Sequence, residues 1–125
     1  MNQIGKPIIK DLEKIESFLA GDHTHISEVL HPKNDNIEIP FSIAYGYIEE
    51  GKSSINHRLQ NDEVYVFISG QGEMVIDDVT YTIKENQLAL VPKNARQFVR
   101  NRGKGRLVFL CIVSPAWSED EEEIL

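Results

Sequence analysis

The stretch "GKSSINHRLQNDEVYVFISG", residues 51–70, decides how the chain is read. Its second half is dense in β-branched and aromatic residues, the composition of a strand. Side chains two apart on a strand share a face, so Glu63, Tyr65 and Phe67 point one way and Val64, Val66 and Ile68 the other. Apart from Glu63 both faces are apolar, as expected of a strand covered on both sides in a sandwich or barrel. Extended backbone over residues 57–59 aims His57 and Leu59 together. An imidazole and a carboxylate entering such an interior need a hydrogen bond or a metal, because burying either alone is costly.

Outward from this segment the chain continues to read as strands. "HISEVLH" (25–31) alternates polar and apolar residues, and "FSIAYGYIE" (41–49) is aromatic and β-branched. "EVYVFIS" and "EMVID" flank "GQG" (70–72), a hairpin signal. "VTYTI" (79–83) follows the acidic turn Asp77-Asp78, "QLALVP" ends at Pro92, "QFVRN" is stopped by "RGKG", and "RLVFLCIVS" ends before Pro115. On the N-terminal side "KDLEKIESFLAG" (10–21) fits a short helix or an irregular arm. Many short strands at regular spacing predict an all-β sandwich or closed barrel. Tyr45, Tyr47, Tyr65, Phe67, Phe98 and Phe109 read as core, and Trp117 as a cover for the barrel end or a dimer contact.

A chain of 125 residues, 41% hydrophobic and 26% charged, fits one globular domain over 1–125, with a barrel core at about 23–115. A formal net charge of -7 repels phosphate and argues against nucleic-acid and anionic-membrane partners. Part of that charge lies in "SEDEEEIL" (118–125), read as a solvated, frayed acidic tail. The apolar run "LVFLCIV" is too short to span a bilayer. "MNQIGKPIIKDLEK" carries no apolar leader core, and the single cysteine, Cys111, forms no intrachain disulfide. Together these predict a reducing cytoplasm, with Cys111 an inert core thiol. No phosphate loop, Cys-x-x-Cys or Ser/His/Asp triad spacing occurs.

The spacing within the opening stretch resembles the first motif of the cupin superfamily: Gly51, five residues, His57, one residue, Leu59, three residues, Glu63, six residues, Gly70. Leu59 stands where the family has a second histidine. A second, degenerate motif follows in Asn86, Pro92, Asn94, Gln97 and Asn101, with Gln97 in the histidine position and Asn86 and Asn94 as stand-ins for glycine at positive φ. The resemblance spans roughly residues 40–115. It implies a double-stranded β-helix or jelly-roll barrel with a short N-terminal arm or helix. It also implies a metal site inside the barrel built from His57, Glu63 and Gln97, with His31 of "EVLHP" as a replacement for the missing ligand.

One imidazole, one carboxylate and one amide make a weak set for Zn²⁺, Fe²⁺, Mn²⁺ or Ni²⁺, so the metal is expected to be weakly held or absent. The plain alternative for His57 is a buried histidine bonded to Glu63 or Gln97. His23 and His25, a second His-x-His, read as a solvated loop. Two functional classes stay open. One is a metal-dependent enzyme of isomerase, dioxygenase or lyase type on a small polar substrate, with Tyr65 as a candidate general acid or orienting donor. The other is a non-catalytic small-molecule or sugar-binding module, or a metal-free structural dimer. A homodimer formed through a sheet edge is expected, with the N-terminal segment and the run around Trp117 contributing.

Overall fold

The structure, a computed structural model, describes residues 6–125. Residues 1–5, the start of the stretch read for a leader, lie outside the described residues. The strands are β1 (Phe18–Leu19), β2 (His25–Leu30), β3 (Ser42–Ile48), β4 (His57–Leu59), β5 (Asp62–Ser69), β6 (Gln71–Ile76), β7 (Val79–Lys84), β8 (Leu88–Val91), β9 (Arg96–Asn101), β10 (Leu107–Ser114) and β11 (Glu122–Ile124). They form two antiparallel sheets, ordered β1-β2-β3-β10-β5-β8 and β11-β4-β9-β6-β7. This is the jelly-roll architecture that the resemblance implies, one form of the sandwich or barrel that the strand pattern predicts. No helix among the described residues is long and apolar enough to cross a membrane.

Inward residues of the two sheets meet in a core that contains Ile48, Tyr65, Phe67, Met74, Val91, Val99, Leu107 and Phe109. Phe67 and Phe109 pack edge to face at 6.1 Å, and Tyr65 lies 5.3 Å from Phe109. Each fully buried aliphatic or phenyl side chain contributes about 1.5–3 kcal/mol by leaving water. The remaining aromatics do not join them. Tyr45, Tyr47 and Phe98 occupy the alternate, partly exposed positions of β3 and β9, so the expectation that they are core is corrected.

Two further expectations change, and one open alternative is settled. "GQG" is not a hairpin turn: β5 belongs to the first sheet and β6 to the second, and the segment is a corner between them. Gly70 makes that corner at φ 93°, where a Cβ would lie 2.8 Å from the Arg106 carbonyl oxygen. The hairpin of this region is β6–β7, closed by Asp77 and Asp78 at φ 47° and 69°. Residues 10–21 form an arm rather than a helix, with a single 3₁₀ turn at Leu12–Lys14 and the short strand β1 paired with β2. The acidic tail is not frayed. After a 3₁₀ turn at Glu119–Glu121 it enters the second sheet as β11, with Glu122 opposite Leu59 and Ile124 opposite His57.

Candidate metal centre

His57 and Gln97 are direct cross-strand partners on β4 and β9, and both side chains are buried. Glu63 enters from β5 in the other sheet, where it is also buried. The Gln97 amide Nε2 donates to Glu63 Oε1 at 2.8 Å, and Tyr65 Oη donates to Gln97 Oε1 at 2.9 Å. Tyr65, Gln97 and Glu63 thus form one buried chain of donors and acceptors. Its order leaves the Gln97 oxygen engaged by the phenol. Burial pushes the Glu63 carboxyl up to about 7, although His57 and the Gln97 bond oppose the rise. Burial and the neighbouring Glu63 raise the Tyr65 phenol well above its ordinary value.

The His57 ring has two different environments. Nδ1 lies 2.9 Å from the Ile55 carbonyl oxygen, which only accepts, so Nδ1 carries a proton. Nε2 makes no hydrogen bond and faces two carboxylates, Asp22 Oδ2 at 3.6 Å and Glu122 Oε2 at 3.9 Å. Neither carboxylate belongs to the motif stretch. Asp22 sits in a tight turn before β2. Its side chain accepts the Thr24 N–H at 3.1 Å, and its carbonyl accepts the Ile55 N–H at 2.8 Å. That second bond ties the turn to the residue whose own carbonyl orients His57. Glu122 arrives on β11, which pairs beside β4 and is fastened by Arg58–Glu123 at 2.7 Å and by Asn61 donating to Glu121 Oε1 at 3.2 Å. Trp117 Nε1 donates to Glu122 Oε1 at 3.2 Å. Burial, and the charge of Asp22 beside it, raise the Glu122 carboxyl.

One ligand atom each from Asp22, His57 and Glu122 lie within 4.8 Å of one another. Two atoms bound to one ion at ~2.1 Å are about 3–4.2 Å apart, so the His57–carboxylate separations fit a shared cation. One imidazole and two carboxylates suit Mn²⁺, Fe²⁺ or Zn²⁺, and the carbonyl behind Nδ1 is the support such a histidine needs. The group lies at a cavity of about 420 Å³ lined by His57, Leu59, Glu63 and Tyr65 of the barrel, and by Trp117 and Phe18 from the flanking segments.

The sequence-derived candidates are therefore distributed as follows. His57, Glu63 and Gln97 converge, and Leu59 lines the same cavity as His57. His31 lies apart from the Asp22–His57–Glu122 group: its Nε2 is 2.8 Å from the Trp117 carbonyl oxygen and its Nδ1 accepts the Lys33 N–H at 3.1 Å. His25 is not in a loop but opens β2, stacked on Tyr47 at 4.6 Å. Cys111 is free and buried in the core, and burial pushes its thiol well up. Trp117 covers the cavity. Asp22 and Glu122 escape a reading by motif spacing. The available signal for Glu122 is the apolar end of the tail, Ile124-Leu125, which a freely solvated acidic segment does not need.

Comparisons with known proteins agree with this architecture. The uncharacterised protein MJ1618 of Methanocaldococcus jannaschii is 27% identical over 121 residues, covering 96% of both chains. The L-ectoine synthase of Vibrio campbellii is 31% identical over 84 residues, covering 66% of this chain and 64% of the synthase. The crystal structure of a predicted oxalate decarboxylase from Thermotoga maritima superposes with a TM-score of 0.76 at 15% identity, over 86% of this chain and 99% of that one. The family model for the cupin domain matches residues 44–113, more than half of the chain, so the protein belongs to the cupin family.

Proposed function

We propose that the cavity is a metal-assisted site for a small organic molecule. The observation that carries this is the meeting of Asp22, His57 Nε2 and Glu122 at one point of the cavity, with the opposite ring nitrogen already fixed by a carbonyl. These three side chains would hold a divalent transition ion. When bound, such an ion supplies Lewis acidity to a substrate oxygen. Glu63, with its carboxyl at about 7, is poised to take or give a proton near neutrality. Gln97 positions Glu63, and Tyr65 positions Gln97. Leu59, Phe109 and Trp117 keep water from the cavity wall. The name of one sequence relative, the L-ectoine synthase, favours an enzyme over a passive binder.

Titration of the purified, chelator-stripped protein with Mn²⁺ tests this reading. Expected is one ion per chain, with binding weakened at least about tenfold in Asp22→Asn and abolished in His57→Ala. Wild-type protein that takes no divalent ion would instead support the metal-free binding module or structural dimer.

The reading extends to a homodimer in the cytoplasm, paired through the outer face of the first sheet in place of the sheet edge expected from the sequence. The outward side of the first sheet carries two unbroken apolar rows across four strands, Ile43–Ile112–Val64–Leu90 and Tyr45–Leu110–Val66–Leu88. The outward side of the second sheet is charged instead, with Arg58 paired to Glu123, Arg96 to Asp78 and Arg100 to Glu73. Four strands about 4.8 Å apart and two rows about 6.8 Å apart give this apolar face roughly 260 Å², the centre of a patch that a second copy would cover. A buried free thiol suits a reducing compartment.

A further inference from the structure

The cavity is lined by five carboxylates, Asp22, Glu28, Glu63, Glu119 and Glu122, and by no lysine or arginine. The rest of its wall is mostly apolar and aromatic, including Phe18, Ile26, Phe109 and Trp117, with Thr24, Ser42 and His57 among its polar members. Inside it His57 Nε2, on a residue 3% exposed, makes no hydrogen bond and lies 3.6 Å from Asp22 Oδ2 and 3.9 Å from Glu122 Oε2. A concave, low-dielectric site lined by one sign of charge concentrates that field. A divalent ion does not reverse the sign. Its two charges match Asp22 and Glu122; Glu28, Glu63 and Glu119 remain with no lysine or arginine of the lining beside them, Glu63 carrying only part of its charge near neutrality because burial raises its carboxyl to about 7.

We propose that the cavity selects a small organic cation, a protonated amine with an apolar body, and rejects ligands whose only charged group is an anion. The ammonium group is held by the carboxylates and the aromatic faces beside them, and the apolar body lies against the Phe18, Phe109 and Trp117 walls. A carboxylate or phosphate ligand would find no arginine or lysine to pair with, and its desolvation would go uncompensated. At about 420 Å³ the cavity falls in the range that encloses a metabolite-sized molecule. This inference rests on the cavity being the ligand site, as read above, and it names the class of ligand.

Three probes of equal length separate charge from shape: hexan-1-amine, hexanoate and hexan-1-ol. Trp117, the single tryptophan of the chain, lines the cavity and reports binding by fluorescence. Both the chelator-stripped and the Mn²⁺-treated protein are titrated. Hexan-1-amine is expected to bind at least about tenfold tighter than either of the other two, in both preparations. In the double variant Asp22→Asn, Glu122→Gln that preference should shrink severalfold. Hexanoate or hexan-1-ol binding as tightly as the amine, or no binding of the amine, would overturn the proposal. Mn²⁺ uptake is measured separately. Amine selectivity without Mn²⁺ uptake sinks the metal reading and leaves this one standing; uptake without selectivity does the reverse.

Discussion

Leu59 stands one strand position pair away from His57 and lines the same cavity. A histidine there would place a second imidazole on the wall that already presents Nε2. Leu59→His is therefore expected to tighten Zn²⁺ or Ni²⁺ binding at least about tenfold, worth about 1.4 kcal/mol, read by competition with a chelating dye. An unchanged affinity would mean that residue 59 cannot reach the ion. Glu63 makes a prediction about pH. Its folded carboxyl titrates at about 7 against an ordinary 4.5, so between those values the folded state binds more protons than the unfolded chain. Stability from this group is full below about 4.5 and is lost as pH rises through about 7. Glu63→Gln should flatten that decline, and urea unfolding of both proteins from pH 4.5 to 8 checks it. A wild-type and variant difference that does not change over this range would refute it. His57 and Glu63 were legible in the sequence because a barrel strand gives them a fixed parity. Asp22 was not, because a turn residue has none.

At the scale of elements, β11 differs from the rest. The alternation that reveals β3, β5 and β10 runs over seven or eight residues. β11 has three, preceded by acids, and nothing local distinguishes it from a solvated tail. What holds it is remote: β4 to pair with, Asn61 bonded to the Pro115 carbonyl and to Glu121, and Trp117 bonded to Glu122. The same limit explains "GQG". Glycines at a corner and at a hairpin look alike until the partner strands are known. A chain ending after Ser118 should keep the barrel, whose core cluster lies between Ile48 and Cys111. It should also lose Mn²⁺ binding, and its Trp117 emission should shift to the red as the cavity cover opens. Far-ultraviolet circular dichroism, a metal titration and fluorescence check the three parts. Retained metal binding would remove Glu122 from the site.

For the whole molecule, the contrast between the two sheet faces sets the expectation. The fold class was legible from strand count and spacing, but which outer face is apolar depends on which strands become neighbours. Tyr45 and Tyr47 read as core because the sequence shows their alternation without its sign. Covering the face of the first sheet in a two-fold pair removes Leu88 and Leu90, 66% and 60% exposed, from water. Leu88→Lys with Leu90→Glu should halve the sedimenting mass while leaving the circular dichroism spectrum and Mn²⁺ affinity unchanged. Wild-type protein sedimenting as a monomer at micromolar concentration would refute the pairing.

The origins of Asp22 and Glu122 also bear on what a family match can report. The matched segment 44–113 contains His57, while both carboxylates come from outside it. The flanks that carry them also supply β1, β2 and β11 of the two sheets. A match over the central strands is therefore silent on this pair of carboxylates, and the two ends of a chain have to be read for themselves.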